Sequence, residues 1–128
     1  ELERLARRAA GHRRLVSVSV AVPSLDPFGL AGRAIEIGAP FVVWCQPLAG
    51  RVVVGVGEAT GIDLEGSNRF EAAETARSAL AEIAICGGPA AGQPGAGPRL
   101  VGGAAFRAGS ARDAIWRHFG DGRLRLPR

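Results

Sequence analysis

The stretch FVVWCQPLAGRVVVGVGEA, residues 41–59, constrains the fold more than any other part of the chain. Two apolar, β-branched runs, 41–46 and 51–57, flank the turn-forming PLAG, and such runs pair as an antiparallel hairpin. Neither run alternates cleanly between apolar and polar residues. The hairpin is therefore expected to be covered on both faces, or to lie centrally in a sandwich. The rest of the chain must supply that cover.

The segments around the hairpin alternate between helical and extended patterns. ELERLARRAA places Leu2, Leu5 and Ala9 on one helical face, and Gly11 is a suitable stop. LVSVSVAVP sets Val16, Val18, Val20 and Val22 on one side of a strand that Pro23 ends. In LDPFGLAGRAI, Asp26 is a helix cap with Pro27 at the first helical position, and Gly29 and Gly32 keep that helix short and weak.

NRFEAAETARSALAEIAICGGP carries the strongest helical pattern, with Asn68 and Glu71 fitting a reciprocal cap. Phe70, Ala73, Ala76 or Arg77, Leu80, Ile83 and Ala84 recur at helical spacing, and Gly87, Gly88 and Pro89 are expected to end the helix. GGPAAGQPGAGP then reads as a flexible loop, 87–98, within one domain. RLVGGAAF reads as a strand. Ser110 and Asp113 are expected to cap a last helix, ARDAIWRHF, closed by Gly120, and a final strand begins near Arg123. Trp116 and Phe119, with Phe106, are expected to anchor that helix to the sheet; if Trp116 is fully buried, Trp116→Ala costs about 3–5 kcal/mol.

At 128 residues with 47% hydrophobic and 22% charged residues, the chain has the composition of one globular domain with a real core. The absence of methionine argues that Glu1 is not a translation start, so both ends are expected to be cut points. No apolar run approaches the roughly 20 residues of a membrane span, and no signal peptide is visible. All 16 basic residues are arginine. With no lysine, this chain cannot supply a Schiff base, a lysine general base or a P-loop lysine.

The net charge of +4 comes from arginines scattered over most segments. Arg7, Arg8, Arg13 and Arg14 cluster near a helix end without interleaved aromatics, which fits a solvated helix terminus better than a nucleic-acid surface. Cys45 and Cys86, far apart and outside any CxxC, read as small buried hydrophobes in a reducing cytosol.

Motifs that suggest chemistry fail on closer reading. GVGEATG follows a strand, but Thr60 stands where a dinucleotide loop needs its third glycine, and no helix follows directly. The glycine-rich 87–98 segment has prolines where a phosphate cradle needs amide donors. His12 and His118 have no partners at metal-ligand spacing, and there is no GxSxG elbow. Glu58, Asp63 and Glu65 cluster after the hairpin, where a solvated loop is a better reading than a carboxylate pair for acid–base work.

The order of segments is what carries information. LVSVSVAVPSLDPFGL, FVVWCQPLAGRVVVGVGEA, NRFEAAETARSAL and GGAAF with IWRHFGDGRLRLPR together resemble the N-terminal part of an isochorismate synthase, one of the chorismate-utilising enzymes of menaquinone and siderophore synthesis. The residues that carry the likeness are Trp44, Pro47, Gly55, Gly57, Arg69, Phe70, Gly102, Gly103, Phe106, Trp116, Phe119, Leu126, Pro127 and Arg128. The likeness covers about 15–128. Ala104 departs from it, since the family usually has a large apolar residue there.

The resemblance implies an α/β (α+β) fold with a mostly antiparallel sheet and packed helices, an incomplete part of the family's α/β sandwich. It implies that RLRLPR leads into a chorismate-binding portion holding a lysine base, a glutamate acid and the carboxylates that bind Mg²⁺. In the whole enzyme, Mg²⁺ would hold a substrate carboxylate, the lysine would activate water to attack a ring carbon, and the glutamate would protonate the departing hydroxyl.

No catalytic, cofactor-binding or metal residue is assigned to this chain. Residues 1–128 are expected to be a single domain of a longer cytoplasmic enzyme, inactive alone. Their expected partner is the missing C-terminal chorismate-binding portion, with no nucleic acid and no membrane. The alternative is a free-standing small-ligand-binding or regulatory module without catalysis.

Overall fold

The computed structural model describes residues 2–9, 14–109 and 114–128. Their elements run α1 (Leu2–Ala9), β1 (Leu15–Val18), α2 (Pro27–Glu36), β2 (Phe41–Gln46), a 3₁₀ turn (Pro47–Ala49), β3 (Arg51–Val56), β4 (Thr60–Leu64), α3 (Arg69–Ile83), β5 (Ala84–Gly87), β6 (Val101–Ala104) and β7 (Gly122–Leu126). Helix and strand are mixed, as expected for an α+β fold. The expected stops and caps at Gly11, Ser110 and Asp113 lie outside the described residues, as does His12. The chain divides into two compact units, one of Glu1–Ser24 with Thr75–Pro98 and one of Leu25–Glu74 with Arg99–Arg128.

In the first unit, β1 and β5 pair in parallel from Leu15↔Ala84 to Val18↔Gly87, and α1 packs on both with Leu5 buried. This corrects two expectations. α3 ends at Ile83 rather than at the glycines, and 84–87 is a strand. Ile83 and Ile85 fit either period, and pairing with the alternating β1 decides for the extended form. β1 itself stops at Val18, leaving Val20 and Val22 more than half exposed.

The stop has a local cause. Ser19 donates its amide to the Gly87 carbonyl at 2.8 Å and accepts the Ala90 amide at 3.1 Å, while its hydroxyl accepts the Gly97 amide at 3.0 Å. The loop thus folds back over the end of the strand. Gly88 makes this possible: its φ is +103°, and a Cβ there would sit 2.3 Å from the Ser19 carbonyl oxygen. α3 turns Ala73, Ala76, Leu80 and Ile83 to its less exposed side, as the spacing predicts, but Phe70 is 60% exposed and off that seam. Asn68 and Glu71 do not form the expected cap; the Asn68 side-chain oxygen instead accepts from the Ser67 hydroxyl at 3.0 Å.

In the second unit, α2 begins as the sequence predicts. The Asp26 carboxylate accepts the Phe28 amide at 3.0 Å, and Pro27 takes the first helical position. The helix packs on β2 and β3 and buries its small residues Ala31 and Ala34, leaving Phe28 and Ile35 outward. The hairpin pairs Phe41↔Val56 through Gln46↔Arg51, with Gly50 in the left-handed region closing the turn. Trp44 and Phe41 remain partly exposed.

The rest of this unit is an antiparallel sheet in the order β4-β7-β6. β4 was not expected: its alternation spans only Ile62, Asp63 and Leu64 and is hidden among glycine and carboxylates. The alternation of β7 sorts the two faces. Leu124 and Leu126 share one face with Ile62 and Leu64, and Arg123 and Arg125 share the other with Gly61 and Asp63. Leu64 and Leu126 are buried at 2% and 3% exposure and form the core.

Residues 114–120 are turns, not a helix, with the Phe119 and Gly120 amides both donating to the Trp116 carbonyl. The expected anchors are exposed: Phe106 at 98% and Trp116 at 57%. An amphipathic helix forms by burying a face, and these side chains find no surface to bury against. Trp116 keeps an edge-on contact with Phe119 at 6.4 Å. Trp116→Ala is therefore expected to cost less than about 1 kcal/mol by chemical denaturation, not the 3–5 of a core site. Cys45 and Cys86 are likewise exposed rather than buried.

Candidate functional site

The polar residues of the second unit converge at the base of the β6–β7 connection. Arg69, the first residue of α3, is 5% exposed, the one buried charged side chain among the described residues. It lies between the β4–α3 turn and the chain leaving β6. Its Nε donates to the Ala105 carbonyl at 2.9 Å, its Nη2 to the Phe106 carbonyl at 2.7 Å and its Nη1 to the Gly66 carbonyl at 3.0 Å. The guanidinium carbon also stacks 4.6 Å from the centre of the Phe70 ring.

Asp121, just before β7, completes the cluster. Its carboxylate accepts the Gly66 amide at 2.8 Å and the Gly109 amide at 2.6 Å, and its carbonyl accepts the Ala105 amide at 2.7 Å. The Gly66 bond, then the Gly109 bond, hold its pKa below the usual carboxylate value against the opposing effect of desolvation, and the charge of Arg69 adds the least.

A depressed folded-state pKa means that this contribution is complete above the unfolded pKa, near 4, and is lost as pH falls through the folded value. The stability difference between the natural chain and Asp121→Asn is therefore expected to be largest at neutral pH and to shrink below about pH 4. Urea midpoints measured from pH 7 to pH 2.5 check this.

Of the carboxylates after the hairpin, Glu65 is exposed in the turn after β4, as a solvated loop requires, but Glu58 and Asp63 are engaged. Glu58 pairs with Arg125, both about one-third exposed, and Asp63 on β4 lies 2.8 Å from Arg123 Nε across the ladder. Gly61 leaves room for this: a Cβ there would meet the Arg125 guanidinium. These ion pairs keep Glu58 and Asp63 from acting as a free carboxylate pair. Among the described residues no three His, Cys, Asp or Glu side chains converge in a way that could hold a metal. No helix of the described residues is long and apolar enough to cross a membrane.

β7 and the two residues after it lock into neighbouring backbone through glycines. Pro127 fills the space above Gly55, where a Cβ would be 2.2 Å from its Cγ, and Arg128 lies beside Gly57 and donates its amide to the Val56 carbonyl. Gly102 lies against the Arg123 carbonyl. The scattered hairpin glycines, GG and LPR thus meet along β7 and the two residues after it, and RF is tied to the chain leaving β6.

A family model described as chorismate binding enzyme matches residues 1–128. The chain belongs to that family. No curated protein and no solved structure matches it. In this member of the chorismate-binding family, Arg69 and the glycines were legible as motif residues, but their role as backbone clamps was not. Asp121 was not singled out; its one signal was the Asp-Gly step entering β7.

Proposed function

We propose that this chain is the N-terminal structural portion of an isochorismate synthase-like enzyme, cytoplasmic and serving menaquinone or siderophore synthesis. It supplies strands and covering helices to the portion that binds chorismate and converts it to isochorismate. The observation that carries this reading is the family match over residues 1–128, joined with the order of WCQP, RF, GGAAF and LPR.

The chemistry of its residues agrees with a supporting role. Arg69 spends its donors on carbonyls, and Glu58 and Asp63 are paired with arginines. These residues do not fit a Mg²⁺ site, so the ion and the acid–base groups are assigned to the portion beyond this chain. The chain's own task is to hold the sheet on which that portion is built.

The test uses the native polypeptide, isolated at its natural length, and the 128-residue chain in parallel. Each is incubated with chorismate and Mg²⁺, and isochorismate is followed. The native polypeptide is expected to form isochorismate and the isolated chain none. Turnover by the isolated chain would refute the supporting role, and a different chorismate product from the native polypeptide would replace the assigned reaction. A native mass near 13.2 kDa would favour a ligand-binding module instead.

A further inference from the structure

The connection between β6 and β7 is tied down in an unusual way. Its first residues turn little apolar surface inward: Phe106 is 98% exposed, and Arg107 and Gly109 are exposed as well. Besides the Ala105 amide bond to the Asp121 carbonyl, which continues the β6–β7 pairing, 105–109 is held by two charged side chains at distant points in the sequence. Arg69 takes the Ala105 and Phe106 carbonyls, and Asp121 takes the Gly109 amide. Both also grip Gly66, Arg69 through its carbonyl and Asp121 through its amide. The result is a closed circuit: Arg69 to 105–106, along the chain to Gly109, to Asp121, to Gly66, and back to Arg69.

We propose that Arg69 and Asp121 form a latch through which 105–109 and the Gly66 turn open and close as one unit, separately from the β4-β7-β6 ladder they join. The argument rests on what each half of the circuit holds. Hydrogen bonds to charged groups are about twice as strong as neutral ones, so each arm of the latch is strong while closed. Segments with few buried apolar contacts and exposed backbone open at lower free energy than the ladder beside them.

The arms depend on each other because they share backbone. Releasing Arg69 frees the Ala105 and Phe106 carbonyls, and Gly109 then loses the placement that brings its amide to Asp121. Releasing Asp121 frees the Gly66 amide, and the carbonyl that Arg69 holds on the same residue moves with it. The ladder has a different support, its own strand pairing and the burial of Leu64 at one end and Leu126 at the other, and does not depend on the latch.

Amide hydrogen exchange followed by NMR tests the latch. In the natural chain, the Gly66 and Gly109 amides are expected to share one level of protection, below that of the amides in the β4–β7 ladder. Asp121→Asn should speed exchange of both by about 10- to 100-fold, the equivalent of one charged hydrogen bond. The distinguishing variant is Arg69→Gln. Arg69 touches neither amide, yet Gly66 and Gly109 should both exchange at least tenfold faster while ladder amides stay within about threefold.

Unchanged Gly66 and Gly109 exchange in Arg69→Gln would mean two separate contacts and overturn the latch. Equal loss across the ladder would mean that the region opens only with the whole unit, and would overturn it too. If Arg69→Gln does not fold, low urea on the natural chain decides. Exchange at Gly66 and Gly109 that ignores urea while ladder exchange responds supports a local opening, and a common urea dependence refutes it.

Discussion

Gly102→Ala is expected to destabilise the second unit by about 3 kcal/mol, whereas Gly103→Ala one residue away should be neutral or slightly stabilising. Both glycines lie on β6, both pair with β7, and neither has a positive φ. They differ in what a side chain would meet. A Cβ on Gly102 would lie 1.9 Å from the Arg123 carbonyl oxygen and 3.0 Å from the Leu124 Cα. Those atoms belong to the backbone of the central strand, so they cannot rotate away. β6 would have to move off β7 and weaken the ladder bonds that place Val101–Ala104. A Cβ on Gly103 meets nothing closer than the Phe119 ring edge at 3.8 Å, an ordinary contact. There, alanine only reduces the freedom of the unfolded chain. Urea unfolding of the two variants separates them; equal losses would mean that β6 does not pack on β7 in this register.

The contrast also shows what could be read from the residues alone. The hairpin, the Asp26 cap of α2 and the inward seam of α3 depend on neighbours a few positions apart, so local pattern predicts them. GGAAF reads as a strand for the same reason. What was missed depends on partners far along the chain. β4 is held by β7, across Thr60↔Leu126, and its Gly61 and Asp63 face arginines rather than apolar residues. Its alternation is therefore too short and too polar on one face to stand out. β5 looks helical by itself and becomes a strand because β1 pairs with it. IWRHF has helical spacing, but only Phe119 reaches β6 while Ile115 and Trp116 stay exposed, so the pattern alone misleads.

The same limit applies to the polar cluster. A sequence shows an arginine before a phenylalanine at a helix start; it does not show three carbonyls waiting for that arginine. Family membership is legible in the order of segments, and the physical basis of that order is the meeting of Gly55 with Pro127 and of Gly102 with Arg123. These contacts join residues more than 20 positions apart, so only a folded chain displays them.

Arg69→Leu is expected to be the most damaging single change to the Gly66 turn and 105–109, at about 3–5 kcal/mol of local closing free energy read from exchange of the Gly66 and Gly109 amides, with the ladder amides little changed. Leucine fills part of the space and keeps helix propensity, so the loss isolates the guanidinium. Removing it leaves three carbonyls, of Gly66, Ala105 and Phe106, without their donor in a site where the arginine is 5% exposed. Each orphaned group costs about 1–3 kcal/mol unless water reaches it. The exposed flank at Phe106 admits water more easily than the turn at Gly66, which keeps the total near the lower end of a simple sum. Asp121 also loses the positive charge that helps to hold its pKa down, so acid sensitivity should decrease along with stability. Arg69→Lys keeps the charge but replaces a planar fork by a single ammonium, and should recover less than half of the loss. Full recovery by lysine would show that charge alone matters at this site and that the fixed geometry of three carbonyls around one guanidinium does not.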